Sequence, residues 1–173
     1  MSVARLRRAR WPVDGRPDGP RRRTMVVIHA SCVALERRGV LLRGAPGAGK
    51  SDLALRLIDS GAILVADDQV ALTSGGEALL ATPPARIAGL LEVRGIGIVS
   101  MEFVQQCPVY LVVDLAAPNA VERMPDAAGV ELCGYRIAHA ALAPFEASAP
   151  AKIRLALARA TDAPAAPVAD SAV

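Results

Sequence analysis

The chain has 173 residues, a length that suits one domain, and 53 % of them are hydrophobic, which is enough to build a core. The net charge is +3, but residues 1–24 hold eight Arg and two Asp, so the remainder carries a net charge of −3. A nucleic-acid-binding domain presents a basic face on its folded body, and no apolar run reaches the about 20 residues that span a membrane. We therefore expect neither a nucleic-acid partner nor a membrane partner.

The first segment, 1–24, is rich in Arg, Pro and Gly and lacks periodic apolar residues, which predicts a disordered basic tail. An RNA-binding arm is the alternative, and Met25 is a plausible start because it directly precedes the first strand-like run. The segment has no apolar stretch typical of a signal peptide, so we expect a cytoplasmic protein. The three cysteines show no zinc spacing and predict small buried side chains in a reducing compartment.

The domain body, 25–160, begins with β-rich runs at 26–36 and 40–44. A helix is predicted from Gly49 onward, because apolar residues then recur at helical spacing. They form one stripe: Leu53, Ala54, Leu57 and Ile58. Gly61 should end this helix as a C-terminal cap.

The second half of the body continues to alternate between strands and helices. We predict a strand at 62–66, a hairpin over 69–82 with Gly75-Gly76 in its turn, and a helical face over 85–91. The remaining elements are strands at 95–100 and 109–115, a helix at 151–160 and a loose tail at 161–173. This alternation predicts an α/β fold.

Residues 44–51, GAPGAGKS, match the phosphate-loop pattern G-x-x-x-x-G-K-[ST]. Glycines let consecutive backbone N–H groups point at phosphate oxygens, and the following helix N-terminus adds positive potential. The lysine reaches the phosphates and the serine supplies a hydroxyl to Mg²⁺. We expect ATP and Mg²⁺ as cofactors, with the nucleotide bound by Gly44, Ala45, Pro46, Gly47, Ala48, Gly49, Lys50 and Ser51.

Two apolar runs after this loop end in carboxylates. Asp67 and Asp68 follow the predicted strand 62–66, and Asp114 ends the strand 109–115. An aspartate at a strand end often assists Mg²⁺ in such enzymes, and a second one could act as general base toward a hydroxyl acceptor. The alternative for the adjacent pair is one catalytic and one capping aspartate, and Asp114 could instead begin a turn.

These residues resemble the C-terminal catalytic domain of HPr kinase/phosphorylase. The segment IHA places His29 fifteen residues before Gly44, and VADDQV matches the family's Val-Ala-Asp-Asp motif. The segment GLLEVRGIGIV at 89–99 is similar to the family signature, and VERMP places Arg123 where the family has a functional arginine. The similarity extends over about 27–125.

The resemblance implies a single P-loop kinase domain of the HPr kinase type, which is related to phosphoenolpyruvate carboxykinase. It implies catalytic roles for His29, Lys50, Asp68 and Arg123, with Asp68 as the base. It implies Mg²⁺ binding by Ser51 and Glu92, to which Asp67 is added from its place after a strand. Arg94, two residues after Glu92, can fork onto phosphate. The implied substrate is a serine of HPr, a small phosphocarrier protein, and the reverse reaction consumes inorganic phosphate.

The chain departs from the family in two places. It resembles the short form, without the N-terminal domain of the long form. It also lacks the Pro-Val-Arg-Pro-Gly-Arg segment, where GYRIAHAALAPFE stands at 134–146. Because that segment serves the reverse reaction and the contact between subunits, phosphorylase activity and a homo-oligomer stay open. His139 matches no motif and is expected at the surface.

Two other functions are compatible with the sequence. One is a regulatory module that binds ATP without efficient catalysis, and the other is a kinase of a small hydroxylated metabolite.

Overall fold

The computed structural model describes residues 23–74, 76–125, 129–160 and 166–168 and shows an α/β domain, which confirms the predicted fold class. The expected basic tail lies, up to residue 22, outside the described residues. The strands are β1 (Met25–His29), β2 (Ser31–Leu35), β3 (Arg38–Arg43), β4 (Ile63–Ala66), β5 (Gln69–Thr73), β6 (Leu80–Thr82), β7 (Leu90–Val93), β8 (Gly97–Ser100), β9 (Cys107–Leu115), β10 (Gly129–Leu132), β11 (Tyr135–Leu142) and β12 (Ala166–Pro167). The helices are α1 (Lys50–Asp59) and α2 (Ala149–Arg159), with short 3-10 turns at Ala85–Ile87 and Pro118–Ala120.

One large sheet organises the domain, with the strand order β1-β5-β6-β9-β3-β2-β4. The second half of β9 lies between β3 and β11, and it pairs in parallel with both. Parallel strands place their carboxyl ends at the same edge of a sheet, which is where ligands bind in many α/β proteins. The loop after β3 and the segments after β9 and β11 therefore leave the sheet side by side.

Both faces of the central strands are buried, because successive residues point to opposite sides. Val40 and Leu42 of β3 pack in the cluster that contains α1 and α2, whereas Leu41 packs on the opposite face. The predicted helix stripe faces this first cluster, with Leu53, Ala54 and Leu57 fully or nearly fully buried. Burying a side chain such as Leu contributes about 1.5–3 kcal/mol.

The predicted hairpin over 69–82 is present as β5 and β6, which pair antiparallel with Ala71 opposite Thr82. Just beyond β5, the hydroxyls of Thr24 and Ser74 are 2.6 Å apart. This contact ties the residue before β1 to the end of β5.

The predicted helical face over 85–91 is wrong. The chain makes only the 3-10 turn Ala85–Ile87 and then enters β7 at Leu90. Gly89 has φ 75°, and a Cβ built on it would lie 2.7 Å from the Phe103 ring. A left-handed residue ends helical geometry, so the apolar residues that follow continue as a strand.

The C-terminal half of the sheet contains elements that the sequence pattern did not predict. Strands β10 and β11 form an antiparallel pair in the region 129–142. In the expected loose tail, Ala166 and Pro167 pair with β11 instead. Of the other residues of that tail, the structure describes Val168, whose amide donates to the carbonyl of Gly134 at 2.8 Å.

The cysteines follow the expectation of small core residues at two of three positions. Cys32 and Cys107 are buried and Cys133 is partly buried, and all three are free thiols. Burial raises the pKa of the Cys107 thiol to about 12, against the opposing charge of Arg37. The described helices are too short or too polar to cross a membrane.

Candidate active site

The phosphate loop connects β3 to α1, in the strand–loop–helix context that the motif requires. Gly47 and Gly49 have φ values of 78° and 90°, which residues other than glycine rarely adopt. The amide of Ala48 donates to the carbonyl of Ala45 at 3.0 Å, so the loop is a compact turn. The N-terminal N–H groups of α1 therefore face the space that the loop encloses.

Lys50 is the first residue of α1, and its side chain is almost fully buried at 6 % exposure. Its ammonium donates to the carbonyl oxygens of Gly44 and Ala45, both at 3.0 Å. The charge is thus held against the loop at its start, where it can compensate phosphate charge.

Asp67 is the buried member of the adjacent pair, with 4 % exposure. Its Oδ1 accepts hydrogen bonds from the hydroxyls of Ser31 at 2.5 Å and Ser51 at 3.0 Å. Its Oδ2 accepts from the backbone N–H of Glu92 at 3.3 Å. One carboxylate therefore connects the phosphate loop, strand β2 and strand β7.

Asp68 has the opposite environment. Strand β4 ends at Ala66, and Asp68 adopts the left-handed region with φ 64°. Its side chain is 64 % exposed and lies 3.2 Å from Nδ1 of His29. Because the strand ends here, the two adjacent carboxylates lie in different environments. Asp67 is buried in the protein, and Asp68 is exposed to solvent.

The main chain fixes this turn. The amide of Gln69 donates to the carbonyl of Asp67 at 2.8 Å, and the amide of Ala30 donates to the carbonyl of Asp68 at 3.2 Å. In the β1–β5 ladder His29 lies directly opposite Gln69. The register of β1 therefore determines that His29 reaches Asp68.

Glu92 and Arg94 lie at the β7–β8 hairpin, and both are exposed. Glu92 is in β7, and Arg94 is the first residue after that strand. The backbone of Glu92 contacts Asp67, which places the hairpin beside the pair of aspartates. Arg123 is also exposed, and among the described residues it has no hydrogen bond or ion pair with the other predicted site residues.

A second carboxylate centre lies at the end of β9 and has other partners. Arg43 forks onto Asp114, with Nε to Oδ1 and Nη2 to Oδ2 both at 2.8 Å. Nε2 of His139 lies 2.9 Å from Oδ2 of Asp114. His139, expected at the surface from the sequence, is instead partly buried, since its side chain is 24 % exposed and pairs with Asp114.

The partners of Asp114 also set its charge state. Burial alone would raise the pKa of this carboxyl, but the hydrogen bonds and charges of Arg43 and His139 outweigh it and lower the pKa. Arg43 pairs with Asp114 across the β3–β9 ladder and directly precedes Gly44. This centre anchors the strand from which the phosphate loop begins.

The oxygens around Ser51 and Asp67 suit a magnesium ion. Mg²⁺ takes hard oxygen ligands, keeps several waters and usually binds one or two carboxylates together with substrate phosphates. Within the described ranges no three His, Cys, Asp or Glu side chains form a metal cluster. A hydroxyl and a buried carboxylate beside a phosphate loop fit a metal ion that arrives with a nucleotide, which needs few protein ligands.

Comparison with known proteins places this geometry in a family context. The family model described as "HPr Serine kinase C-terminal domain" matches residues 23–137. The HPr kinase/phosphorylase of an Exiguobacterium species is 44 % identical over 78 residues, which is 44 % of this chain and 25 % of the relative. That of Listeria monocytogenes is 41 % identical over 78 residues, again 25 % of the relative. The match thus takes in about a quarter of the length of these curated relatives.

A solved structure extends the similarity beyond these segments. The Hpr(Ser) kinase/phosphatase from Coxiella burnetii is 26 % identical and superposes with a TM-score of 0.68. The match covers 77 % of this chain and 88 % of that one. The similarity to this structure therefore extends to the fold of most of the chain.

Proposed function

Because the chain belongs to the family of the HPr serine kinase C-terminal domain, we propose that it is an ATP-dependent kinase. Its acceptor is a serine hydroxyl of an HPr-type phosphocarrier protein. The relatives matched along part of their length are HPr kinase/phosphorylases, and the similar solved structure is an Hpr(Ser) kinase/phosphatase. The proposal includes a cytoplasmic location, since ATP is the phosphoryl donor.

The observation that carries the proposal is the division between Asp67 and Asp68. The buried Asp67 is linked to Ser51 of the phosphate loop, whereas the exposed Asp68 lies beside His29. Transfer to an alcohol needs a carboxylate near the metal and a second one that meets the incoming hydroxyl. In hydrolysis the acceptor is a water molecule, so the base does not need to be exposed to a docked protein.

The phosphate loop supplies the electrostatic part of the reaction. Its N–H groups and the Lys50 ammonium hold the phosphates and stabilise the charge that spreads over the transferred group. Ser51 and Asp67, with Glu92 nearby, would hold Mg²⁺. This ion supplies further neutralisation of phosphate charge when it is bound.

Asp68 supplies the proton transfer. As the serine oxygen bonds to the γ-phosphorus, the bond from that phosphorus to the bridging oxygen of ADP breaks, and the serine proton passes to the Asp68 carboxylate. His29, 3.2 Å from that carboxylate, positions it. Because Asp68 is largely exposed, the docked carrier protein itself must exclude water from it.

The two exposed arginines have roles toward substrate phosphate in this proposal. Arg94 projects from the hairpin beside Asp67, and Arg123 lies in the loop after the second 3-10 turn. A guanidinium can fork onto phosphate oxygens. The proposal covers the forward reaction, since the segment that the family uses for the reverse one is absent here.

The test is transfer of label from γ-labelled ATP to purified HPr in the presence of Mg²⁺. We expect label on the protein, and none on a carrier whose acceptor serine is changed to Ala. Lys50→Ala should lower the rate at least about 100-fold, because it removes a charge that stabilises the transferring phosphoryl group. Arg159→Ala, which removes a positive charge from the exposed last turn of α2, is the matched control and should retain the rate.

Other outcomes identify the alternatives. Label found only in free phosphate would indicate an ATPase or a regulatory module, and label on a small molecule would indicate a metabolite kinase. If Lys50→Ala transferred phosphate at the wild-type rate, the phosphate loop would not be the catalytic centre.

A further inference from the structure

A cavity of about 470 Å³ lies directly against the phosphate loop. One wall is the segment 115–118 after β9, the other is the segment 143–146 after β11, and Ala48 of the loop lies between them. The amide of Ala116 donates to the carbonyl of Leu142 at 3.0 Å, which ties the two walls together at their base. Pockets for small ligands commonly have volumes of about 300–1,000 Å³.

The sheet order places this cavity opposite the acceptor side. Strand β3, from which the loop begins, has β9 and then β11 on one side and β2 and then β4 on the other. The adjacent aspartates follow β4, whereas both walls of the cavity follow β9 and β11. A nucleotide whose phosphates lie in the loop can therefore extend toward the cavity while the protein acceptor approaches from the aspartate side.

The walls have the chemistry of a site for a flat apolar group. They consist of alanines, prolines, one leucine and one aromatic ring, with Glu146 at the rim. The ring belongs to Phe145, a large apolar side chain that is 71 % exposed. It lies over the phosphate loop, since a Cβ built on Gly49 would be 2.8 Å from its Cζ. Purine bases stack on aromatic side chains.

Side chains from both helices bind the segment 143–146, the wall that carries this ring. Arg56 of α1 donates to the carbonyl of Pro144 and, at 3.3 Å, to that of Glu146. Lys152 of α2 forms an ion pair with the Glu146 carboxylate. The cavity is thus fixed to both helices without a ligand, and a preformed site loses little entropy on binding.

We propose that this cavity receives the base of ATP and that Phe145 stacks on it. The inference rests on the proposed function, because the nucleotide phosphates define which ligand reaches the cavity. Its consequence is a division of the nucleotide between two elements: the loop binds the phosphates and segments 115–118 and 143–146 bind the nucleoside.

The test compares two ligands by titration calorimetry: ATP with Mg²⁺, and inorganic tripolyphosphate with Mg²⁺, which carries the phosphates without a base. Phe145→Ala should weaken ATP binding roughly 5- to 150-fold, the range for loss of one stacked base, and leave tripolyphosphate affinity unchanged. Phe145→Tyr keeps the ring and should bind ATP nearly as well as the wild type. Leu155→Ala is the matched control, since it shortens an apolar side chain of similar exposure, 68 %, on α2. It should change neither affinity.

A second variant tests the opposite wall without removing the ring. Ala117 is exposed, so Ala117→Phe can be accommodated in the fold while it fills the cavity. It should weaken ATP binding and not tripolyphosphate binding.

The inference is overturned if Phe145→Ala binds ATP as tightly as the wild type, or if it loses both ligands equally. A wild-type chain that binds ATP no more tightly than tripolyphosphate would overturn it and leave the phosphate loop intact. A chain that binds neither ligand would overturn the proposed function together with it.

Discussion

The ends of β4 and β9 both carry aspartates close to the phosphate loop, and the partners of these carboxylates differ. Asp67 after β4 accepts from two hydroxyls and an amide, which are neutral donors. Asp114 at the end of β9 is paired with the Arg43 guanidinium and with His139. Neutral donors leave a carboxylate its negative charge for a cation, whereas a guanidinium fork compensates it. Position at a strand end is therefore not enough to identify a metal ligand, and the partner set decides.

The largest expected effect lies at the exposed member of the β4 pair. Asp68→Asn should lower the rate of transfer to HPr by about 10²–10⁴-fold, the usual contribution of a positioned base. ATP affinity should change by less than about tenfold, because a base acts mainly in the transition state. Asn tolerates the left-handed backbone at φ 64°, so this substitution removes charge without adding strain. Single-turnover rates and calorimetry on the same preparation separate the two quantities.

Asp67→Asn should act on the metal instead of on the proton. We expect the Mg²⁺ concentration for half-maximal rate to rise roughly 10- to 100-fold, as when a group that supports a metal is lost. Saturating Mg²⁺ should restore much of the rate. A Mg²⁺ titration of both variants checks this, and rescue of Asp68→Asn but not of Asp67→Asn would reverse the two assignments.

Asp114→Asn should have the smallest effect and should not alter the Mg²⁺ requirement. Its side chain is 39 % exposed, so solvent screening limits the loss of stability to about 1 kcal/mol. The pKa of Asp114 is lowered in the folded chain, so its stabilising contribution is present above the unfolded pKa of about 3.9 and is lost as pH falls through the folded pKa. As pH falls below about 3.9, Tm should therefore fall less steeply in Asp114→Asn than in the wild type. A changed Mg²⁺ requirement in this variant would make β9 a metal-binding strand.

The sequence predicted the elements whose signals are local. The phosphate loop, the α1 stripe and the β5–β6 hairpin each depend on spacing within a few residues, and the structure contains all three. The prediction of a helical face over 85–91 was wrong because apolar residues at 87, 90 and 91 suit a helical turn as well as the start of a strand. The left-handed Gly89 decides between them, and its conformation is not visible in a hydrophobic pattern.

The missed parts of the site depend on contacts between distant strands. Asp114 meets His139 because β9 and β11 pair in parallel, with Val112 opposite His139. The sequence pattern did not predict strand β11, because its alanines and histidine have low β-propensity. Its residues are buried by contacts with neighbouring elements, which a local pattern does not show. The same pairing brings Phe145 to the phosphate loop, far from it in sequence. One signal for this contact was available in the sequence. Asp114 and His139 are ionisable residues that each lie within an otherwise mostly apolar run.

The position of β1 makes the contact between His29 and Asp68 less durable than the contacts of Lys50 and Asp67. Among the described strands β1 pairs only with β5, at the end of the sheet, and Met25, Val26 and Val27 are exposed. Edge segments with little buried surface open at low free-energy cost, while core strands open only with the whole molecule. Amide hydrogens of β1 should therefore exchange with solvent faster than those of β3 and β9. Each such opening would withdraw His29 from Asp68 and leave Lys50 and Asp67 in place. Under the proposed function, the chain would then keep its nucleotide during moments when the proposed base is not positioned.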